Sequence, residues 1–235
     1  MQIHVAVMST DKTAETVATL TSLLNQSRRP DTLMFVENTL SGTRAVPNAP
    51  TAIWALLDAF TRRGTEVSVH LRHEKGLVDN RAFIESKWLM LKNDEGLYLI
   101  SDDDHVYPYD YLEKAYTALS VESDPAIYAA LVETWLTEDC TDRSSRYEEI
   151  LKILRDHPYM TSGGSAVYNQ PLLGQYLEVY KTTTGNGEDW VWRDRCFKSC
   201  NAKRLPLHDV NTVHLAKWSP FRWGSFVMQS DQSDQ

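Results

Sequence analysis

Four short apolar runs, separated by segments with helical spacing, constrain the fold of this chain more than any other feature. The runs are residues 3–8, 33–36, 67–71 and 97–100, the third of them alternating, with Val67, Val69 and Leu71 as its apolar positions. Between the first two, Val17, Leu20 and Leu24 recur at three- and four-residue intervals. Ile53, Leu56, Leu57 and Phe60 do the same in the next interval, and Ile84, Trp88 and Leu91 in the one after. Short apolar runs bounded by turn residues read as strands, and the 3–4 spacing reads as helices with one buried face. Ser9-Thr10-Asp11 supplies cap chemistry before the first helix, Pro30 ends it, Gly64 closes the second and Gly76 opens the third. Strand and helix in strict alternation build a doubly wound α/β domain, and right-handed crossovers make its sheet parallel. The carboxyl ends of the strands then share one edge, where open α/β sheets bind ligands. That edge gathers Ser9, Thr10, Glu37 and the aspartates that follow the fourth run.

The fourth run, Leu97-Tyr98-Leu99-Ile100, leads into Ser101-Asp102-Asp103-Asp104-His105. Three adjacent carboxylates repel one another. A divalent cation removes that penalty, and hard oxygen ligands suit Mg²⁺ or Mn²⁺. The competing reading is an acidic loop ahead of the helix near Tyr111. Asn80 and Arg81 fall in the first turn of the helix opened by Gly76. A cation is unfavourable at that end of a helix, and a diphosphate seated on the helix start would account for it; otherwise Arg81 is an ordinary solvated residue. Glu188-Asp189 follows the turn Asn186-Gly187 and opens another helix. Acids there are stabilised by the helix dipole, or one of them serves as a general base. Trp190 is the aromatic residue expected beside a ligand. His208 and His214 are candidate nitrogen ligands, with His214 favoured because it sits in the apolar run 212–215.

Composition narrows the functional classes. The chain has 235 residues, 42% hydrophobic and 24% charged, with a formal net charge of −8. That balance argues against nonspecific nucleic-acid binding. No stretch is long and apolar enough to be a transmembrane segment. Residues 1–8 read as a first strand rather than an export signal, and Cys140, Cys196 and Cys200 read as free thiols, so a cytoplasmic location is expected. In the second half, residues 127–132 are predicted as a strand and 147–154 as a helix. Ser162-Gly163-Gly164-Ser165 is a small-residue turn before the strand 166–168, and 205–207 and 212–215 are short strand candidates. The tail 229–235 is polar and predicted disordered. No phosphate-binding or dinucleotide glycine motif, nucleophile elbow or zinc-peptidase motif is present.

The order of these motifs resembles family-2-like glycosyltransferases with the GT-A fold. The matching segments are Val5-Ala6-Val7-Met8-Ser9-Thr10, the helix end Leu23-Leu24-Asn25-Gln26, Met34-Phe35-Val36-Glu37-Asn38, Gly76 to Arg81, the Asp-x-Asp motif at 102–104, Ser162-Gly163-Gly164, and Glu188-Asp189. The resemblance spans roughly residues 3–215. It implies a mostly parallel, doubly wound sheet flanked by helices, with a smaller acceptor-side region. A single domain would cover 1–228, its nucleotide-binding half about 1–105 and its acceptor and catalytic half about 106–228. By resemblance, Ser9, Thr10, Glu37, Asn80, Arg81, Asp102 and Asp103 meet the nucleotide. Asp104 and His214 hold the Mn²⁺ or Mg²⁺, and Gly163, Gly164 and Trp190 lie on the acceptor side. Asp189 is the base, supported by Glu188. The implied reaction is inverting, metal-dependent transfer of a sugar from a nucleoside diphosphate sugar, a UDP-sugar favoured, to a hydroxyl of a glycan or small acceptor. Two other readings share the pattern. A sugar nucleotidyltransferase would carry a glycine-rich basic loop where Ser9-Thr10-Asp11-Lys12 stands. A noncatalytic nucleotide-sugar-binding module would need no acidic pair at 188–189.

Overall fold

The computed structural model describes residues 1–10, 13–39, 51–73, 75–91, 95–129, 132–135, 163–182, 188–205 and 211–215. The helix expected at 147–154, the tail 229–235, Cys140 and His208 lie outside the described residues. Strand β1 (Gln2–Ser9) is followed by α1 (Thr13–Leu24), β2 (Thr32–Thr39), α2 (Thr51–Arg62), β3 (Glu66–His73), α3 (Leu77–Met90) and β4 (Gly96–Asp102). This is the alternation read from the sequence. Beyond it come β5 (His105–Val106), α4 (Tyr111–Leu119), β6 (Ala126–Tyr128), β7 (Val132–Trp135) and a 3-10 turn at Gly163–Ser165. The described chain ends with β8 (Val167–Asn169), α5 (Gln175–Tyr180), α6 (Glu188–Asp194), a π turn at Arg195–Ser199, β9 (Lys203–Leu205) and β10 (Asn211–His214).

The main sheet has seven strands in the order β3-β2-β1-β4-β8-β6-β9. β1, β2, β3 and β4 are mutually parallel. From β1 the chain winds outward to β3, then crosses back to place β4 on the other side of β1. A crevice opens at such a reversal, beyond the carboxyl ends of the two strands. Register aligns Ser9 with Glu37 and Met8 with Asp102, so the expected convergence of strand ends is present. β8 pairs antiparallel to β4, with Leu99 opposite Val167 and Leu97 opposite Asn169. It therefore begins where β4 ends and carries the Gly163–Ser165 turn to the crevice. The expected strand 127–132 divides: β6 stays in the main sheet, while β7 joins β5 and β10 in a separate three-stranded sheet.

Side-chain alternation along β1 fills two cores. Ile3, Val5 and Val7 face α1, α2 and α4, where Leu20, Leu57, Phe60 and Leu112 are buried. Ala6 and Met8 face the other layer, with Ile84 and Trp88 of α3, Tyr176 of α5 and Trp192 of α6. Burial on both faces is why these strands read as continuous apolar runs rather than alternating ones. α2 buries Ile53, Leu57 and Phe60 on one stripe and stops before Gly64, whose φ of +87° is the left-handed turn that favours glycine past a helix end. α3 differs. Its buried face carries Asn80, Arg81 and Glu85 among Val78, Ala82, Ile84 and Trp88. That polar content is used at the site.

Candidate functional site

β4 delivers Asp102 to the crevice, a turn follows at Asp103 and Asp104, and His105 opens β5. Asp104 and His105 are almost fully buried, and the Asp102 side chain is 27% exposed. One ligand atom each from Asp102, Asp104 and His105 lie within 4.8 Å of one another. His105 Nδ1 is 3.2 Å from Asp104 Oδ1. Two carboxylates and an imidazole form a donor set that suits a divalent cation such as Mn²⁺, so the residues present fit the expected metal. The loop is pinned from the far side, where the Leu215 backbone N–H donates to the Asp104 carbonyl at 2.7 Å. β10 runs antiparallel to β5 with His214 directly opposite His105, which places the favoured histidine across the ladder from the cluster. Sequence reading did not assign His105, although its adjacency to Asp104 was the available signal.

Of the other residues expected at the nucleotide, Ser9, Thr10, Asp103 and Arg81 have partners within the chain. Asp103 is buried, and its Oδ2 accepts the Thr10 backbone N–H at 2.8 Å, tying the end of β1 to the acidic loop. The Ser9 hydroxyl lies 2.9 Å from that of Thr16. Glu37 is buried near the end of β2. Asn80 is 1% exposed in the first turn of α3, and its Oδ1 has no hydrogen-bond partner among the described residues. Arg81 has no exposed surface, and its Nη2 donates to Asp102 Oδ1 at 2.9 Å. The alternatives expected for Arg81 are a diphosphate at the helix start or an ordinary solvated residue. It is the fifth residue of α3, past the first turn, and it is buried with an acidic partner within the chain, so it is not solvated. Arg81 Nη1 also reaches the Tyr176 hydroxyl at 3.4 Å.

Behind Arg81 lies a buried polar and aromatic layer. The Tyr176 ring stacks on Trp192, with centroids 4.9 Å apart and planes 5° from parallel. Glu85, one turn beyond Arg81, accepts the Tyr168 hydroxyl at 2.9 Å and the Tyr176 backbone N–H at 2.7 Å. Burial pushes the Glu85 carboxyl up to about 7, against the pull of those hydrogen bonds. On the opposite side of the cluster, Gly164 is packed so closely that a Cβ there would sit 2.6 Å from Asp102 Oδ2 and 2.7 Å from His105 Cε1. The Tyr107 hydroxyl lies 2.7 Å from both the Gly164 carbonyl and the Ser101 hydroxyl. The Ser101 hydroxyl donates to the Asp102 carbonyl, and Tyr111 donates to the Ser165 carbonyl. The small-residue turn is therefore fastened to the end of β4 through Tyr107 and to α4 through Tyr111.

Glu188 and Asp189 are the first residues of α6, as expected, and Trp190 follows in the same helix. Trp192, three residues beyond Asp189, is 1% exposed and anchors that helix to Tyr176. Gly163 opens the 3-10 turn.

No protein-family model matches this chain, and no curated protein matches it significantly. Solved structures do. A mannosyltransferase from Pyrobaculum calidifontis, PcManGT, solved with GDP-Man and Mn²⁺, aligns over 97% of this chain and 60% of its own, with a TM-score of 0.64 and 14% identity. TarS of S. aureus, solved with UDP-GlcNAc, aligns over 92% of this chain and 58% of its own, with a TM-score of 0.57 and 14% identity. The chain has the fold of these glycosyltransferases and spans about 60% of their length.

Proposed function

We propose that the chain is a metal-dependent, inverting glycosyltransferase, built as one domain over residues 1–228, that uses a nucleoside diphosphate sugar as donor. The observation that carries this reading is the Asp102–Asp104–His105 cluster, at the reversal point of a sheet with the fold of nucleotide-sugar transferases. Binding of GDP-Man and Mn²⁺ by PcManGT, and of UDP-GlcNAc by TarS, supports this donor class. A UDP-sugar is the first choice.

Asp102, Asp104 and His105 would hold Mn²⁺ or Mg²⁺, and His214 would join them. The ion, when bound, neutralises charge on the departing diphosphate. The residues of the chain do the rest. Arg81 orients Asp102 beside the donor, and Gly164 leaves room for the carboxylate and imidazole to converge. Asp189, at the start of α6, takes the proton from the acceptor hydroxyl as it attacks the anomeric carbon from the face opposite the diphosphate. Glu188 supports Asp189, and Trp190 lies on the acceptor side. A single displacement inverts that centre. Free thiols at Cys196 and Cys200 fit a reducing, cytoplasmic setting.

The test is a panel of UDP- and GDP-sugars with Mn²⁺ and a set of glycan and small hydroxyl acceptors, with water as acceptor in the control, read as release of free nucleoside diphosphate by wild type and Asp189→Asn. An amide keeps the shape of the carboxylate but takes no proton, so donor binding should persist while transfer falls by about 10²–10⁴-fold. Turnover within a few-fold of wild type removes Asp189 as the base. Pyrophosphate-dependent formation of sugar phosphate and nucleoside triphosphate would identify a nucleotidyltransferase instead, and binding without turnover a noncatalytic module.

A further inference from the structure

Glu85 has no exposed surface, and nothing in the proposed chemistry uses it. A buried ionisable group is costly unless its hydrogen bonds are made, and here they are made to a particular end. One carboxylate oxygen accepts the Tyr168 hydroxyl. The other accepts the backbone N–H of Tyr176 at 2.7 Å and of Leu177 at 3.3 Å. Those two residues belong to the first turn of α5, directly after Gly174 at φ +97°. A side chain from α3 therefore satisfies the amide groups that open another helix. α5 has six residues, too few to hold a fixed position without outside contacts.

What α5 positions is Tyr176. Its hydroxyl receives one arm of the Arg81 guanidinium at 3.4 Å, and its ring centroid lies 5.2 Å from the guanidinium carbon. The other arm of Arg81 holds Asp102 at 2.9 Å. Arg81 and Glu85 are four residues apart on α3 and so share a face. The path is closed: Glu85 fixes the Tyr176 backbone, the Tyr176 hydroxyl fixes Arg81, and Arg81 fixes Asp102. The Tyr176 ring also stacks on Trp192, so the helix bearing Glu188 and Asp189 leans on the same post.

We infer that Glu85 is a positioning residue for the site, its carboxylate clamping the first turn of α5 and thereby setting, through Tyr176 and Arg81, the direction in which Asp102 points. This rests on the proposed function only for what Asp102 meets. A polar group that merely stabilised the core would affect folding and leave the ligand properties of Asp102 unchanged.

The experiment titrates Mn²⁺ alone, followed by electron paramagnetic resonance, and then UDP and GDP in the presence of Mn²⁺. The proteins are the full chain as wild type, Glu85→Gln, Tyr176→Phe and the double variant, each with its thermal melt. Glu85→Gln should remain folded, alter the bound-Mn²⁺ spectrum and weaken Mn²⁺ by roughly 10-fold, the low end of the range for loss of an outer partner of a metal ligand, because Glu85 reaches Asp102 through Tyr176 and Arg81. Tyr176→Phe should produce a loss of the same kind. The double variant should bind no worse than the weaker single variant, because both changes break one path. Wild-type Mn²⁺ affinity in Glu85→Gln, or losses that multiply in the double variant, overturns the inference. Should Glu85→Gln not fold, Tyr176→Phe decides, since wild-type Mn²⁺ affinity there breaks the path. A wild-type chain that binds Mn²⁺ but neither nucleotide defeats the transferase reading and leaves the Mn²⁺ comparison to judge Glu85. A wild-type chain that binds none of them overturns both.

Discussion

Gly164→Ala should disturb the Asp102–Asp104–His105 cluster more than it damages the fold. Gly164 is not one of the described glycines with positive φ, which are Gly64 and Gly174, so the penalty is one of space. A methyl group at this position would lie 2.6 Å from Asp102 Oδ2 and 2.7 Å from His105 Cε1, where ordinary contact begins near 3.4 Å. Each neighbour would have to retreat by about 0.7–0.8 Å, the difference between those distances. Neither side yields freely. Asp102 is held by Arg81 at 2.9 Å, and His105 is 1% exposed and packed along Tyr107. The Gly164 backbone is itself fixed, with its carbonyl 2.7 Å from the Tyr107 hydroxyl. Overpacking of this kind costs about 1–3 kcal/mol, and each kcal/mol lowers Tm by roughly 2–4 °C in a domain of this size. Because two of the three candidate ligands are displaced, Mn²⁺ affinity should fall roughly 10–100-fold, as when the support of a metal ligand is removed. Thermal unfolding and Mn²⁺ titration on the same sample separate the two effects. A lowered Tm with wild-type Mn²⁺ affinity would refute the assignment of Asp102 and His105 to the metal. An unchanged Tm would refute the packing argument itself.

Asp104→Asn keeps the shape of the loop and removes one charge, so Mn²⁺-dependent UDP binding should fall sharply with the fold intact; UDP binding that is undiminished and still requires Mn²⁺ excludes Asp104 as a ligand. His214→Ala should raise the Mn²⁺ concentration needed for half-maximal activity, and if His208→Ala alone does so the assignment moves to His208. Glu85 makes a prediction about stability and pH. Its folded carboxyl titrates at about 7 against an ordinary 4.5, so between those values the folded state keeps a proton that the unfolded chain releases, and stability falls as pH rises through the window. The total is on the order of 3 kcal/mol, and urea melts from pH 4 to 8 should show a flatter profile for Glu85→Gln; superimposable profiles would refute the burial argument.

The first half of the fold was legible because β1, β2 and β4 are covered on both sides, while the edge strand β3 shows itself by the alternation of Val67, Val69 and Leu71. Residues 3–8 and 97–100 read as strands from apolar content alone, and the helices between them from their spacing. β6 and β8 have three residues each, and a three-residue strand carries too little pattern to reveal its direction. The antiparallel entry of β8 is set by the turn at Gly163–Ser165, which returns the chain at the carboxyl end of β4. α3 was placed correctly, yet its side chains were not read, because its buried face holds Asn80, Arg81 and Glu85 where periodicity looks for apolar residues. The partner of Arg81 lies 21 residues away, and only the packing of α3 beside β4 brings it near. His105 faces His214 through a ladder between β5 and β10, a register that neither segment shows by itself.

Three consecutive aspartates look equivalent in the sequence and repel one another alike. The fold treats each differently. Asp103 accepts the Thr10 backbone N–H and braces the end of β1. Asp102 faces Arg81, a cation with no exposed surface. Asp104 lies beside His105. Groups belonging to the chain thus already face these carboxylates. What remains is a demand of geometry as much as charge: Asp102, Asp104 and His105 are held within 4.8 Å of one another by Arg81 on one side and the Gly164 turn on the other. The buried arginine of α3 therefore acts on the site through the acid it holds, by fixing where Asp102 stands relative to Asp104 and His105.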